Sequence, residues 1–276
     1  MKEIITPNRQ DIEKSGNFIR KEPDFKFARE IQSFLQETVF GQEEATFEVA
    51  RALARAETGL SLDRRPYASL FFAGAPGTGK TEMGKAIAKY FHKDQSGNYE
   101  NRLKIIDCAS LSQPHDIMRL TGAPPSYVGY GDEILIQPDF LNQRNVIVFD
   151  EIEKAHPNLY RVLLSVLDKG KLQVNLGTSS WRSAKPTELS FVNSVIIFTS
   201  NIGSIEAQKV REGREIGFIT PTIKENKGSY SSTIRKEIRE YFKFIPEFLD
   251  RLDAIVVFNE LGEEEYRRIL NKFISE

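Results

Sequence analysis

A single cysteine, Cys108, stands in 276 residues. That excludes an intrachain disulfide framework and a multi-cysteine zinc site, and it fits a reducing compartment. A lone thiol of this kind is expected to be a small buried residue. Charge of one sign is also missing: 38 Lys and Arg face 39 Asp and Glu, for a formal net charge of -1. Such a balance argues against a protein that coats nucleic acid or anionic membrane by bulk charge. No apolar run approaches the roughly 18 residues of a membrane span. Met1 to Arg20 are too polar for a signal peptide. The three histidines, His92, His115 and His156, are neither clustered nor at ligand spacing, so no zinc site is assigned. The expectation is a soluble, cytoplasmic, globular protein with no membrane partner and no nucleic-acid partner.

What is present is a strong alternation of apolar runs and helical patterns. At roughly 150 residues per domain the length allows one or two domains, enough to bury a full core. Residues 1–25 mix charge with Pro7, Asn8, Gly16, Asn17 and Pro23 and read as a flexible N-terminal segment. Helical spacing follows over Phe25–Glu37 and Glu43–Glu57. Five apolar runs read as buried strands: Ser69–Ala73, Leu103–Asp107, Asn145–Asp150, Ser194–Ser200 and Ala254–Phe258. Helical patterns at Thr81–Phe91 and Asn158–Leu167 lie between them. Apolar strands alternating with helices predict a parallel sheet covered on both faces. Two polar stretches, 171–193 with the lone Trp181 and 211–232, read as long loops, which are usually functional or disordered. Gly262–Glu276 is a charged helical pattern.

Gly74-Ala75-Pro76-Gly77-Thr78-Gly79-Lys80-Thr81 matches G-x-x-x-x-G-K-[ST], between a strand and a helix. Glycines let the backbone curl so that amide N–H groups face a phosphate, and the helix N-terminus adds partial positive charge. Lys80 is placed to bridge β- and γ-phosphates, and Thr81 to ligate Mg²⁺. Asn145–Asp150 is an apolar strand followed by Glu151. Two acids after a strand are often surface caps. Beside a phosphate loop they fit another pair of roles: Asp150 as the metal residue and Glu151 as the general base for water. Val195–Thr199 leads through Ser200 to Asn201, which fits a contact to the γ-phosphate or the lytic water. From that segment alone, a turn-forming asparagine before Ile202-Gly203 fits equally.

Together these segments resemble the AAA+ ATPases of the Clp family of unfoldases and disaggregases, specifically their second ATPase module. The resemblance runs from Val39 to the C-terminus. Val39-Phe40-Gly-Gln-Glu-Glu-Ala looks like the opening motif whose first residues line adenine. Gly122-Ala-Pro-Pro-Ser126-Tyr127-Val128-Gly-Tyr is similar to the central-pore loop, with Ser126 where glycine is usual. Asp150-Glu151-Ile-Glu-Lys-Ala-His-Pro157 matches the residues of the acidic strand end. Phe244-Ile-Pro-Glu-Phe-Leu-Asp-Arg251-Leu-Asp resembles the arginine-finger segment. Val192 falls where arginine is usual.

The resemblance implies an α/β P-loop NTPase core of three layers, with a central parallel five-stranded sheet. The large ATPase domain would span 26–260. Residues 261–276 would begin a helical lid that is otherwise largely missing. ATP or ADP with Mg²⁺ is the implied cofactor. Val39, Phe40, Ala75, Pro76, Gly77, Thr78, Gly79, Lys80, Thr81 and Glu82 would hold nucleotide, and Thr81 and Asp150 would hold metal. Glu151, Asn201 and Arg251 would act in hydrolysis. The implied assembly is a homo-hexamer in which Arg251 reaches the neighbour's γ-phosphate; read locally, Arg251 is instead a surface ion pair with Asp250 or Asp253. Tyr127 and Val128 would grip a translocating polypeptide, or Tyr127 would anchor its loop. Ile216-Gly217-Phe218 resembles the tripeptide by which some Clp members dock a ClpP-type peptidase, or is a turn folded on the core. The leading expectation is an unfoldase acting on unfolded or aggregated proteins and feeding a peptidase. A stand-alone disaggregase and a nucleotide switch that threads nothing are the alternatives.

Overall fold

A computed structural model describes residues 25–58, 65–92, 98–124, 127, 129–176, 187–204 and 227–275. The five apolar runs all form strands: β1 (Ala68–Gly74), β2 (Leu103–Asp107), β3 (Asn145–Asp150), β6 (Ser194–Ser200) and β7 (Ala254–Phe258). They make one sheet in the order β2-β3-β6-β1-β7, parallel at every pairing. β1 and β6 are buried at every position, as strands covered on both faces must be. The register sets Phe149 beside Phe198 and Phe72 beside Thr199. The carboxyl ends of β1, β3 and β6 therefore lie side by side; β3 and β6 deliver polar residues to that edge of the sheet, and β1 runs into the glycine loop.

Helices α1 (Phe25–Thr38), α2 (Glu43–Glu57) and α3 (Lys80–Phe91) supply one layer. Their Leu35, Val49, Leu53, Met83 and Ile87 pack with Leu70, Phe72, Val148 and Ile197. α3 comes so close to the sheet that a Cβ on Gly84 would sit 2.8 Å from Val148 Cγ2. The short helices α4 (Met118–Thr121) and α5 (Pro138–Leu141) lie between β2 and β3. The opposite layer holds α6 (Asn158–Lys169), α7 (Lys227–Tyr241) and α8 (Pro246–Asp250). Phe71, Phe149 and Phe198 meet Leu163, Ile234, Phe242 and Phe248 there. Phe71 thus faces one core and its neighbours Leu70 and Phe72 the other, the period of two that a strand imposes. α9 (Glu263–Ser275) ends the described chain, with Leu261 and Glu265 against Gly41.

Two sequence expectations are corrected. The stretch 171–193 is not one long loop: β4 (Lys171–Val174) and β5 (Thr187–Ser190) pair as an antiparallel hairpin. Burial alternates along β4, with Leu172 and Val174 inside, so a short period-two signal stood within polar surroundings. The stretch 211–232 does not remain loop to its end, because α7 begins at Lys227. Tyr230, Ile234, Ile238 and Phe242 are buried at every fourth position. Residues 1–24, Ser126, Val128, Trp181 and Ile216-Gly217-Phe218 lie outside the described residues. Among the described residues no helix is long and apolar enough to cross a membrane. Cys108 is buried as expected. Burial pushes its thiol well above the usual range, which makes it inert.

Candidate active site

β1 ends at Gly74, and the chain turns through Ala75–Thr78 before α3 begins at Lys80. Gly79, the cap of α3, has φ 93° and ψ 14°, a left-handed conformation that a side chain disfavours. Gly77 also has positive φ, and a Cβ there would meet nothing within 4 Å, so this stretch of backbone fronts open space. Thr78 ties the loop to itself by donating from Oγ1 to the Ala75 carbonyl at 2.8 Å.

Lys80 is buried and folds back over the loop. Its Nζ donates to the carbonyls of Gly74 (2.7 Å) and Ala75 (2.8 Å) and to Asn201 Oδ1 (2.9 Å). Burial lowers its pKa to about 8, against the opposing attraction of Glu153, Asp150 and Glu151. An anion beside it would restore the favoured charge.

The acidic edge is organised by two threonines. Thr81 Oγ1 donates to Asp150 Oδ1 at 3.0 Å, and Thr199 Oγ1 donates to the same oxygen at 2.6 Å. Thr199 Oγ1 in turn accepts the Glu151 N–H at 2.9 Å. Glu151 has φ 53° and ψ 56° and is the one non-glycine residue with positive φ among the described residues. Such backbone costs on the order of 1–3 kcal/mol and persists only where its surroundings impose it. Here the Thr199 hydroxyl does so from the backbone side. Asn201 Nδ2 donates to Glu151 Oε1 at 3.0 Å, and Lys154 Nζ meets Glu151 Oε2 at 2.6 Å. Glu153 Oε1 accepts the Asn201 N–H at 3.0 Å.

The structure therefore brings together Lys80 and Thr81 from the start of α3, Asp150 and Glu151 from the end of β3, and Asn201 from the end of β6. They line, with Pro76, Gly77, Gly79, Glu82 and Thr199, an open cavity of about 350 Å³. Asn201 is no simple turn residue, since its side chain joins Lys80 to Glu151. Glu82 sits at the rim and pairs with Lys85 at 3.2 Å. Val39 is buried behind the loop, its Cγ1 3.2 Å from where a Gly79 Cβ would stand. Phe40 lies outside the cavity lining, with the Lys272 ammonium 5.5 Å from its ring centre. Tyr127 is exposed, at 62 %; its N–H donates to the Pro124 carbonyl at 3.1 Å. That exposure excludes the buried-anchor alternative.

Arg251 is not in this cavity. Its guanidinium pairs with Asp168 at 3.0 Å on the surface, rather than with Asp250 or Asp253. Asp253 instead accepts from Ser69 N (2.7 Å) and Ser69 Oγ (2.8 Å). Ser69 is the second residue of β1, while the phosphate loop follows the end of that strand. At about 3.3 Å per residue, Arg251 is roughly 17 Å from the loop of its own chain.

Sequence reasoning assigned no role to Thr199, Gln42 or Glu153. Thr199 is buried inside an apolar strand, and only the register next to Asp150 exposes its function. Gln42 is buried and bridges two segments: Nε2 donates to the carbonyls of Thr78 (3.1 Å) and Asn259 (2.7 Å), and Oε1 accepts the Asn259 N–H at 3.0 Å. It follows directly on the Val39-Phe40-Gly41 motif, a signal that was available.

A parallel sheet with a glycine loop at a helix N-terminus, a lysine in it and an acidic pair on the adjoining strand defines a P-loop nucleotide triphosphatase core. The family model of the AAA domain (Cdc48 subfamily) matches residues 65–255, and the chain belongs to this family of ATPases. It is 36% identical over 251 residues to a ClpA homolog, an ATP-binding subunit of the Clp protease, from Porphyra purpurea. It is 35% identical over 249 residues to the chloroplastic chaperone protein ClpC3 of Oryza sativa. These matches cover 90% and 89% of this chain but 28% and 25% of the relatives, so the chain spans about a quarter of their length. Among solved structures, Hsp104 reconstructed in a closed state with ATPγS and casein matches at TM-score 0.69 and 28% identity. That alignment covers 92% of this chain and 39% of the other.

Proposed function

We propose that this domain hydrolyses ATP with Mg²⁺ and couples the reaction to remodelling of protein substrates. The observation that carries the reading is the continuous path Lys80–Asn201–Glu151, with Asp150 and Thr81 beside it. The Lys80 ammonium has partners of the kind a nucleotide would replace. Lys80 exchanges loop carbonyls for phosphate oxygens, and the Gly77–Gly79 backbone and the α3 N-terminus face the same anion. The donor set fits a hard cation, since Thr81 and Asp150 offer oxygen only. Among the described residues no cluster of three His, Cys, Asp or Glu side chains could hold a metal. That accords with Mg²⁺, which usually keeps waters and phosphates as its other ligands. Thr81 and Asp150 would hold the metal, which would supply positive charge to offset that of the transferred phosphoryl group.

Glu151 is the base. Asn201 orients its Oε1, and Thr199 fixes the backbone that aims it. A water bound at the Glu151 carboxylate would give its proton to that carboxylate as its oxygen attacks the γ-phosphorus, the bond from that phosphorus to the bridging oxygen breaking to release ADP. Glu151→Gln keeps size and hydrogen bonding but removes the basic group. It should bind Mg·ATP and lose hydrolysis by 10²-fold or more, whereas Lys80→Ala should lose binding itself. Parental turnover in Glu151→Gln would place the base elsewhere.

Arg251 completes the site of a neighbouring copy. It stands too far from its own loop to serve in cis, and its exposed pair with Asp168 is of a kind worth about 0–1 kcal/mol, readily exchanged for a phosphate. The ring this implies is a homo-oligomer, in keeping with the hexamer of the Clp resemblance. Tyr127, an exposed aromatic beside Pro124, suits contact with polypeptide of any sequence. That favours threading over a nucleotide switch. Peptidase docking through Ile216-Gly217-Phe218 rests on the sequence resemblance, and a cytoplasmic location on the composition, with one cysteine and a polar start. A core over 26–260 and the first part of a lid over 261–276 rest on the resemblance too, while the N-terminal segment over 1–25 rests on its composition.

A further inference from the structure

The guanidinium of Arg65 lies at the amino end of the sheet, away from the phosphate loop, and bridges two backbone segments. Its Nε donates to the Leu167 carbonyl at 3.1 Å, and its Nη2 donates to the Arg251 carbonyl. The same Arg251 carbonyl accepts Ser69 Oγ at 3.1 Å. Asp168, next in the chain after Leu167, pairs with the Arg251 side chain. Arg65 therefore ties the last turn of α6 to the end of α8 and holds both the backbone of Arg251 and the neighbour of its resting partner. A planar guanidinium can bridge two carbonyls at once; an ammonium on a flexible stem cannot do so with the same geometry.

We propose that Arg65 is a positioning residue for Arg251, fixing the place from which that arginine enters the neighbouring subunit's site. The inference rests on the trans role of Arg251. Arg65 touches no nucleotide; it determines where the finger's backbone sits, and a displacement of about 1 Å can cost on the order of 10²-fold in rate.

The test uses the full ring-forming protein with Arg65→Ala and Arg65→Lys. Labelled-nucleotide affinity should stay within about twofold of the parent, while turnover falls about 100-fold in Arg65→Ala and less in Arg65→Lys. Mixing then assigns the side of the interface. Arg65→Ala subunits mixed with Glu151→Gln subunits should recover activity, because an intact Glu151 then meets a properly held Arg251. Arg65→Ala mixed with Arg251→Ala should recover none, because neither copy offers a working finger. Parental turnover in Arg65→Ala overturns the proposal. So does loss of nucleotide affinity in both variants, which marks a fold defect, and so does recovery with Arg251→Ala. If Arg251→Ala complements Glu151→Gln but Arg65→Ala does not, the inference fails and the trans reading stands. If Arg251→Ala itself does not complement, the trans reading fails and takes the inference with it.

Discussion

The two ends of the central sheet are built in opposite ways. At the carboxyl end the functional groups are sheltered and mutually bonded. Lys80 has three partners, Asp150 Oδ1 accepts from two hydroxyls, and Glu151 is locked into left-handed backbone by Thr199. At the amino end one arginine is presented on the surface, its backbone firmly held and its side chain only lightly held. Arg251 O has two donors, while the guanidinium has an exposed carboxylate. The first arrangement suits groups that must be placed before a ligand arrives. The second suits a group whose final partner is on another molecule. On the proposed trans role of Arg251, catalysis by preorganised charge needs both halves in register, and hydrolysis would then depend on assembly.

The comparison breaks most visibly at Arg251. Arg251→Ala should leave nucleotide affinity near parental and reduce turnover by about 10³-fold or more, as loss of such a finger typically does; binding and single-turnover measurements separate the two. Tyr127→Ala sharpens the picture by touching neither end. In the assembled protein it should abolish unfolding of a tagged fluorescent substrate while substrate-free hydrolysis stays within about twofold, because the stroke then has no side chain on the polypeptide.

A pH experiment addresses the carboxyl end alone. Burial lowers Lys80 to about 8, below its usual value in an unfolded chain. Between pH 8 and about 10.5 the unfolded chain therefore binds more protons than the folded one. Lys80 then contributes a gain in stability of the nucleotide-free protein as pH rises through that window. Nucleotide holds the ammonium charged and should flatten this rise; Lys80→Met should remove it. Thermal melts with and without nucleotide measure both. The smallest effect belongs to Asp168→Asn. An exposed ion pair contributes about 0–1 kcal/mol, so the melting temperature should move by no more than about 4 °C.

Much of this was legible in the residues. The three central strands β1, β3 and β6 were visible because they are buried almost throughout and read as apolar runs, whereas β2 and β7, at the two edges of the sheet and partly exposed, were read from shorter apolar stretches. The phosphate loop was legible because its residues follow a fixed spacing between a strand and a helix, and the acidic pair gained meaning only from that loop, since two acids after a strand are otherwise often surface caps. The hairpin of β4 and β5 was hidden because four-residue strands give only two alternations each, and α7 because its first turn, Lys-Gly-Ser-Tyr, is polar and contains glycine. Thr199 and Arg65 were hidden for a deeper reason. Their roles exist only across strand register or between segments 102 and 186 positions apart, and no local pattern carries such a contact.

The central claim is that one catalytic site is made by two chains. The most direct measurement is turnover per subunit at saturating Mg·ATP while the full protein is diluted through its assembly range. Bound nucleotide per subunit is followed in parallel. The account predicts that turnover per subunit collapses as the assembly dissociates, while nucleotide binding persists, because Lys80 stays with its own loop and Arg251 leaves with the neighbour. A turnover per subunit that stays constant as the assembly falls apart would contradict it.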